Sequence, residues 1–309
     1  MVDVLPASPS QEKLRAELFA HGLLIDSGVP GVVGQGAAFV EVLQRVDAMV
    51  TKLAAVDRPE RMSFPPVMPR SLLGASGYLR SFPQLTGSVW SFHGDESAAA
   101  QQADRADRGE DWGVHQRMTD VALVPAACHP VYPAMARRGP LPVDGVTIDA
   151  GAALVFRHEP SEDPARLQSF RQREIVRIGT ASTVLAWRND WRARANDMLL
   201  GLGLDVVMEE ANDPFFGRSG RLLAANQRAQ ALKFELLAHI TEPNRTAVAS
   251  FNYHLDHFAV QHGIALSGGE PAHTACLGFG LERIVVGLLA THGLEPAHWP
   301  ATVRTALWS

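Results

Sequence analysis

The sequence is poor in cysteine and contains no long apolar run. Only Cys128 and Cys276 occur among its 309 residues, too few for a disulfide framework, so reduced thiols are the simplest expectation. No apolar run approaches the roughly 18–20 residues that span a bilayer. The first residues also lack the basic and then apolar pattern of a signal peptide. These absences predict a cytoplasmic protein with no membrane-spanning segment.

The sequence also lacks a dense block of basic residues. The formal net charge is −5 at pH 7, whereas proteins that bind nucleic acids usually carry a basic surface that neutralises phosphates. Bulk charge is therefore a weak argument against a nucleic-acid partner, because a local basic patch is compatible with it. The composition, 46% apolar and 20% charged, is ordinary for a globular protein with a sizeable core.

Hydrophobic periodicity predicts a mixture of helices and strands. Helical patterns cover 11–24, 37–56, 183–203, 221–240, 253–262 and 281–291, and strand patterns cover 119–127, 152–159, 170–178, 246–252 and 273–279. The stretch 63–92 is rich in proline, glycine and aromatic residues and predicts extended segments and turns. The acidic stretch 95–111 is typical of a solvated helix, with a partner-facing surface as the alternative. The glycine-rich segment 31–36 follows no convincing strand and predicts a plain turn.

The first segment that suggests chemistry runs from Phe156-Arg157-His158-Glu159 to Phe170-Arg171-Gln172-Arg173-Glu174. Because side chains alternate along a strand, one face of this strand pair would carry an arginine, an aromatic ring and two carboxylates. Arginine suits a phosphate group because its planar fork binds two oxygens at once. The segment alone leaves open a surface hairpin with cross-strand ion pairs.

The second such segment is Gly278-Phe279-Gly280-Leu281-Glu282-Arg283, which follows the strand-like residues 274–277. The glycines permit close backbone approach before a helix begins. Arg283 would lie in the first helical turn, where it adds to the affinity of a helix N-terminus for anions. A Rossmann interpretation fits poorly because the third glycine of that pattern is missing.

Together these segments resemble motifs 2 and 3 of the class II aminoacyl-tRNA synthetases. Motif 2 looks like Phe-Arg-x-Glu, a variable loop and Phe-x-x-x-Glu, and motif 3 looks like Gly-x-Gly-x-x-Arg at a strand-to-helix junction. Residues 63–70 resemble the proline-containing motif 1, which lies at the dimer interface of that family, and 232–236 and 249–252 resemble stretches of seryl-tRNA synthetases. The resemblance implies an α+β fold, an antiparallel sheet flanked by helices, and a homodimer.

The resemblance also implies roles for individual residues. Arg157 would hold the α-phosphate of ATP, Phe170 would stack on adenine, and Arg283 would bind the γ-phosphate and the other face of adenine. With Glu159, the two arginines are the expected catalytic residues. Further ATP contacts are implied at Glu159, Arg166, Leu167, Lys233, Ala247, Val248, Ala249 and Ser250. The implied contacts of the substrate amino acid are Glu159, Ser250 and Asn252.

Metal ions enter through the same resemblance. Thiolates and a carboxylate are good Zn²⁺ ligands, although buried unpaired thiols are the default interpretation of two distant cysteines. The likeness to methanogen-type seryl-tRNA synthetases implies one zinc ion per subunit on Cys128, Glu174 and Cys276, where it would bind the amino group of the substrate. Mg²⁺ is expected with ATP, although Thr246 stands where synthetases often have an acid that helps to hold Mg²⁺. The pattern His254-x-x-His257 is interpreted as two polar residues on a helix.

The methanogen-type synthetases carry a large N-terminal tRNA-binding domain, and too little chain precedes the motifs here for such a domain. We expect a helical N-terminal region over 1–58 and one compact catalytic unit over 59–309. This organisation resembles the amino acid:[carrier protein] ligases, which charge the phosphopantetheine thiol of a small carrier protein instead of tRNA. That family implies glycine or alanine as substrate and cleavage of ATP to AMP and diphosphate.

Two alternatives stay open at this point. One is a minimal seryl-type tRNA synthetase, which would need a basic patch or a separate tRNA-binding partner. The other is a non-catalytic paralogue that regulates or binds. The presence of Arg157, Glu159, Phe170 and Arg283 speaks against the second alternative, because a protein that only binds has no chemical need for all four.

Overall fold

The structure, a computed structural model, describes residues 4–213 and 230–309. Its helices, numbered along the chain, are α1 (Pro9–Ala20), α2 (Ala37–Ala54), α3 (Arg70–Ala75), α4 (Tyr78–Ser81), α5 (Glu96–Asp107), α6 (Val131–Ala136), α7 (Ala181–Gly201), α8 (His257–His262), α9 (Leu281–His292) and α10 (Ala301–Trp308). Its strands are β1 (Leu24–Val29), β2 (Val32–Gln35), β3 (Glu60–Arg61), β4 (Val67–Pro69), β5 (Ser88–Phe92), β6 (Gln116–Leu123), β7 (Val146–Phe156), β8 (Ser169–Gly179), β9 (Val206–Glu210), β10 (Lys233–Ala238), β11 (Thr246–Tyr253) and β12 (His273–Gly280).

Within the described residues, a seven-stranded sheet with the order β3-β7-β8-β12-β11-β10-β9 forms the centre of the fold. Its neighbouring strands are antiparallel except for β3 and β7, which are parallel. A three-stranded sheet, β4-β6-β5, and the hairpin β1-β2 complete the strand pairing. The predicted antiparallel sheet flanked by helices is thus confirmed.

Helices cover both faces of the central sheet. On one face α2, α7 and α9 form the largest core cluster with the sheet, around Phe39, Trp191 and Phe279. On the other face α6 and α8 enclose a smaller cluster around Tyr132 and Cys276. Because the apolar stripe of α2 belongs to the same cluster as the sheet, the N-terminal helices share a core with the rest of the chain; the boundary at residue 58 stays a prediction.

The N-terminal region is less helical than expected. Helix α1 ends at Ala20, before the predicted end of 11–24, and the segment 31–36, which was expected to be a plain turn, contains β2, which pairs with β1. Gly31 occupies the turn with φ 75°, a left-handed conformation that glycine adopts at little cost. Two short helices, α3 and α4, also lie within 63–92, where extended segments and turns were expected.

The helix predicted over 221–240 is wrong where the structure describes the chain. Residues 233–238 form β10, and 221–229 lie outside the described residues. Leucine, lysine and alanine favour a helix in isolation, but β10 pairs with β9 and β11 on its two sides. Sheet pairing and burial override a local propensity of a few tenths of a kcal/mol per residue.

The remaining helix predictions are close to the structure. Helix α7 begins at Ala181 with Thr180 as its N-cap, whose side chain accepts a hydrogen bond from the backbone N–H of Thr183. Helix α5 has no buried residue, as expected of a solvated helix. In the two described stretches, no helix is both long and apolar enough to cross a membrane.

Candidate active site

A cavity of about 650 Å³ lies against the central sheet. Strands β8, β10, β11 and β12 line one side of it, and residues from the segments 76–82, 126–129 and 254–258 line the other. The sequence segments 170–174 and 278–283 therefore border one space, because their strands, β8 and β12, are hydrogen-bonded neighbours.

The cavity contains an aromatic ring with two arginines near it. The guanidinium carbon of Arg157 lies 5.6 Å from the centroid of the Phe170 ring, and that of Arg283 lies 6.0 Å from the same centroid. A purine can stack on such a ring, and the guanidinium groups can bind phosphate oxygens. The arrangement therefore suits a nucleotide that carries a polyphosphate.

Backbone carbonyls hold both arginines in place. Arg157 Nε donates to the carbonyl of Pro125 at 3.0 Å, and Arg283 donates from Nε to Ala165 and from Nη1 to Ala247, both at 2.9 Å. Burial, and then repulsion from Arg166 and Arg157, lowers the pKa of Arg283 to about 10. A polyphosphate bound among these cations would relieve that repulsion.

Lys233, on β10, faces the same cavity between two carboxylates. Its Nζ lies 2.6 Å from Asp213 Oδ1 and 2.9 Å from Glu235 Oε1. Burial lowers the pKa of Lys233, but the two carboxylates raise it by more, so the net shift is upward. The ammonium group is therefore a fixed positive charge at this position.

The structure brings most of the predicted nucleotide contacts together, but not all of them. Ala247, Val248, Ala249 and Ser250 line the cavity from β11, together with the predicted substrate contact Asn252. Glu159, Arg166 and Leu167 are not among the residues that line the cavity.

Glu159 does not line the cavity because β7 ends before it. The strand stops at Phe156, so Glu159 belongs to a turn rather than to the strand face that was expected. Its carboxylate pairs with Arg166 Nη1 at 3.3 Å beside the cavity. Leu167 is buried in a core cluster with Phe170, which places its side chain below the site.

Cys128, Glu174 and Cys276 form a second cluster in the lining of the same cavity. One potential ligand atom from each of these buried residues lies within 4.8 Å of the other two. Cys128 lies in a turn after β6, which ends at Leu123, earlier than the predicted strand. Glu174 is on β8 and Cys276 on β12, so adjacent strands supply two of the three groups.

The electrostatics of this cluster fit a cation. Burial raises the pKa of Glu174, and the neighbouring Cys128 thiol, burial and Glu174 together raise the pKa of Cys276 well above its ordinary value. Three acidic groups this close together resist ionisation unless a positive charge shares the space. Two thiolates and one carboxylate are a donor set that Zn²⁺ accepts, with room for a fourth ligand.

His254 lies next to this cluster, and the sequence did not predict this position. His254 and His257 were expected to be two polar residues on a helix, but His254 precedes α8 and lines the cavity, and its Nε2 lies 3.6 Å from Cys276 Sγ. Its Nδ1 lies 3.0 Å from the hydroxyl of Thr274. Alternation along β11 was the available signal, because Ser250, Asn252 and His254 are two residues apart.

Gln172 is a second neighbour of the cluster, and strand alternation placed it on the same face as Phe170 and Glu174 without indicating its role. Its Oε1 accepts the backbone N–H of Ala127 at 3.2 Å, which holds the turn that carries Cys128. A Cβ at Gly278 would lie 2.7 Å from Gln172 Nε2. The glycine therefore leaves space for this amide, a requirement separate from any contact with a ligand.

Solved structures with a similar fold are aminoacyl-tRNA synthetases. The seryl-tRNA synthetase of M. kandleri, solved with A. aeolicus tRNASec, superposes with a TM-score of 0.82 at 20% identity and covers 99% of this chain. Prolyl-tRNA synthetase of Giardia lamblia, solved with prolyl-adenylate, has a TM-score of 0.70 at 13% identity. This chain spans 62% and 56% of those two chains. These similarities establish a class II synthetase fold.

Sequence comparison places the chain in a family. No protein-family model matches it. Amino acid–[acyl-carrier-protein] ligase 2 of Bradyrhizobium diazoefficiens is 46% identical over 289 residues, covering 93% of this chain and 86% of the relative. Ligase 1 of the same organism is 44% identical over 310 residues, covering 99% and 94%. A type-2 serine–tRNA ligase of Methanococcus aeolicus is 28% identical over 195 residues, which is 59% of this chain and 36% of that protein.

The first two relatives share nearly the whole length of the chain at an identity that establishes common descent, and the solved structures share its fold. The chain therefore belongs to the amino acid–[acyl-carrier-protein] ligase family and is a ligase.

Proposed function

We propose that this ligase activates glycine or alanine with ATP and transfers the aminoacyl group to the phosphopantetheine thiol of a carrier protein. The observation that carries the proposal is that one cavity joins the Arg157–Phe170–Arg283 cluster to the cluster of Cys128, Glu174 and Cys276. The first cluster suits a nucleotide, and the second suits the amino group of a small molecule. The names of the two ligases from B. diazoefficiens support the choice of acceptor.

In the first step, the carboxylate of the amino acid attacks the α-phosphorus of ATP. A new P–O bond forms, the bond to the β-phosphate breaks, and pyrophosphate leaves with both bonding electrons. Arg157 would stabilise the charge that develops at the α-phosphate, and Arg283 would hold the γ-phosphate of the leaving group. Adenine would stack on Phe170, which fixes the line of attack.

We propose that Cys128, Glu174 and Cys276 hold Zn²⁺. The donor set fits because the three groups converge within 4.8 Å and are buried. When bound, the ion would supply a Lewis acid for the amino group of the substrate. Cys128, Glu174 and Cys276 would thereby fix where that amino group lies, and the carboxylate of the substrate would be directed toward Arg157.

A small substrate side chain is supported by the residues around the metal cluster. The ring of His129 packs edge-on against Tyr78, with 5.6 Å between ring centroids, and against Phe258, with 6.1 Å. Asn252 Nδ2 lies 3.6 Å from Cys276 Sγ on the opposite strand. These groups lie beside the potential ligands Cys128 and Cys276, and we propose that they limit the substrate to a small side chain, as in glycine or alanine.

In the second step, the thiol of the carrier attacks the carbonyl carbon of the aminoacyl adenylate. A C–S bond forms, the mixed anhydride C–O bond breaks, AMP leaves, and the thiol proton passes to solvent. Arg157 would stay on the α-phosphate that becomes AMP and stabilise it as a leaving group. Mg²⁺ would accompany ATP. Thr246 offers no carboxylate to this ion, and we name no other residue as its ligand.

We also propose that two copies of the chain associate through the three-stranded sheet that carries the motif 1 segment. Large apolar side chains are exposed on and around this sheet, namely Trp90, Phe92, Trp112, Val114 and Met118. Such a patch on a soluble surface typically marks a protein interface. Pro69 belongs to β4, an edge strand of this sheet, and proline has no backbone N–H to donate to a further strand. A second copy would therefore not extend the sheet by pairing with β4 at this residue.

Amino-acid-dependent exchange of pyrophosphate into ATP tests the proposed function. The purified chain would be assayed with glycine, alanine and serine, without tRNA, before and after zinc chelation. We expect exchange with glycine or alanine, lost on chelation and restored by Zn²⁺. Transfer would then be compared between a phosphopantetheinylated carrier and tRNA. Exchange with no amino acid would overturn the proposal, and serine preference with transfer to tRNA would favour the synthetase alternative.

A further inference from the structure

We propose that the N-terminal hairpin, β1 and β2 with the turn between them, is a positioning element for nucleotide binding that acts through the residues on either side of Phe170. The hairpin contacts the segment 168–171 at two places and contacts α9 next to Arg283. This inference rests on the proposed use of ATP, and it assigns a role to a part of the chain that lies outside the synthetase motifs.

The first contact joins the hairpin turn to Gln168. The backbone N–H of Gln168 donates to the carbonyl of Gly31 at 2.7 Å, and its Nε2 donates to the carbonyl of Pro30 at 2.8 Å. Gln168 is a polar residue that is only 4% exposed, so these bonds satisfy groups that water does not reach. Its own carbonyl accepts the backbone N–H of Arg157 at 2.8 Å. The turn thus contacts the residue that links Arg157 to the start of β8.

The second contact joins the end of the hairpin to both sides of the nucleotide site. Gln35, the last residue of β2, donates from Nε2 to Glu282 Oε1 at 3.1 Å and accepts from Arg171 Nη1 at 2.7 Å. Arg171 Nη1 also lies 2.9 Å from Glu282 Oε1, and the backbone N–H of Arg171 donates to Glu282 Oε2 at 2.8 Å. These bonds form a closed triangle of side chains from β2, β8 and α9.

Two residues of this triangle are adjacent in the chain to residues of the nucleotide site. Arg171 directly follows Phe170, and Glu282 directly precedes Arg283. Glu282 is only 1% exposed, and its hydrogen bonds fix the distance between β8 and the first turn of α9. The triangle therefore sets the spacing between the ring that would stack on adenine and the arginine that would bind the γ-phosphate.

Val33 of β2 packs against the core, but β1 contributes little to it. Five of the six residues of β1 are exposed, Ile25 and Val29 among them. Only Leu24, at the start of the strand, is buried. A strand with so little buried apolar surface adds little stability, whereas the hydrogen bonds of Pro30, Gly31 and Gln35 reach the segment around Phe170 and α9.

Two glycines of the hairpin provide a matched pair of variants. Gly31 and Gly28 both have φ near +75°, at 75° and 79°, so alanine is strained at either position. A Cβ at Gly31 would lie 3.2 Å from Gln168 Cγ and 3.4 Å from the carbonyl oxygen of Arg166, whereas a Cβ at Gly28 meets nothing within 4 Å. Gly31→Ala therefore pushes on the nucleotide site, and Gly28→Ala carries the same backbone strain without that push.

The test compares Gly31→Ala, Gln35→Ala and Gly28→Ala in pyrophosphate exchange, with the KM for ATP and the KM for the amino acid measured separately and thermal unfolding followed in parallel. We expect Gly31→Ala and Gln35→Ala to raise the KM for ATP about tenfold and to change the KM for the amino acid by less than about twofold. Gly28→Ala should lower the melting temperature as Gly31→Ala does and keep the native KM for ATP.

The outcomes separate the two proposals. Exchange by the native chain with an unchanged KM for ATP in both Gly31→Ala and Gln35→Ala would overturn the role of the hairpin and leave the proposed function intact. Equal increases in both KM values, or the same increase in Gly28→Ala, would also overturn it, because general destabilisation would then explain the effect. If the native chain shows no pyrophosphate exchange, the proposed function itself is contradicted.

Discussion

The backbone N–H of Cys128 donates a hydrogen bond of 2.8 Å to Oε2 of Glu174. Two of the three candidate metal ligands are therefore joined directly, and the bond leaves the other carboxylate oxygen of Glu174 for an ion. Ligands that are held by hydrogen bonds before a metal arrives lose less freedom when they bind it.

The first prediction concerns Cys276. We expect Cys276→Ala to abolish amino-acid activation and leave ATP binding within about twofold of native, because the substitution removes one of the three proposed metal ligands and leaves Arg157, Phe170 and Arg283 unchanged. Zinc content would be measured by atomic emission, ATP affinity by calorimetry, and activation by pyrophosphate exchange. Normal turnover in a variant free of zinc would remove the metal from the mechanism.

The second prediction concerns Phe170. Phe170→Leu keeps an apolar side chain but loses the ring, and base–aromatic stacking contributes about 1–3 kcal/mol, so we expect the KM for ATP to rise by about tenfold or more. The matched control is Phe156→Leu, because Phe156 is the last residue of β7 and does not line the cavity. Similar ATP KM values for the two variants would contradict the assignment of the stacking residue.

The third prediction concerns His254, whose ring contacts Cys276. Residues that hold a metal ligand in place typically change metal affinity by about 10–100-fold when they are removed. We expect His254→Ala to weaken zinc binding by about tenfold, measured by competition with a coloured chelator on the resting protein. His257→Ala is the control, since His257 lines the cavity without a hydrogen bond to either thiol among the contacts of the described residues. Equal zinc affinities in both variants would rule out this role.

The sequence predicted the parts of the site that strand alternation and strand neighbours determine. Phe170, Gln172 and Glu174 share a face of β8, and all three line the cavity, as the period of two requires. Glu174 on β8 pairs with Gly278 on β12, so Cys276, two residues earlier on β12, lies near Glu174. This proximity can be predicted only when β8 and β12 are known to be neighbours.

Other features could not be read from local pattern. Cys128 reaches the cluster from a turn whose path depends on Gln172 and Glu174, both far away in the sequence. Glu159 leaves the expected strand face because β7 ends at Phe156, which nothing in the alternation signals. The hairpin of 24–35 escaped notice because its strands are short, largely exposed and glycine-rich, so they lack an apolar period.

The fourth prediction concerns a buried ion pair that joins the sheet to α2. Arg173 on β8 forms a bidentate pair with Asp149 on β7, and its Nε lies 2.6 Å from Asp47 Oδ1 of α2 in a geometry not aligned as a hydrogen bond. Arg173 and Asp149 are almost fully buried. Asp149→Asn would leave the buried Arg173 with only Asp47, whose side chain is 36% exposed, as a charged partner, so we expect it to lower the free energy of unfolding by up to about 3–5 kcal/mol at pH 7.

The pH dependence of that loss follows from the sign of the shift. Burial raises the pKa of Asp149, but the hydrogen bonds and charge of Arg173, with smaller help from Gly151 and Arg61, lower it by more, so its pKa lies below the ordinary value. The stability that this carboxylate contributes is then complete above the unfolded pKa of about 3.9 and is lost as pH falls through the lower folded pKa. The stability gap between native and Asp149→Asn should therefore narrow below about pH 4.

Urea unfolding of both chains at several pH values would measure this gap. Arg61→Ala is the matched control, because Arg61 lies 3.6 Å from the same carboxylate but is 70% exposed, and exposed pairs contribute about 0–1 kcal/mol. A gap that is constant from neutral to acidic pH, or a loss in Arg61→Ala as large as that in Asp149→Asn, would show that the buried pair of Asp149 and Arg173 does not stabilise the fold in this way.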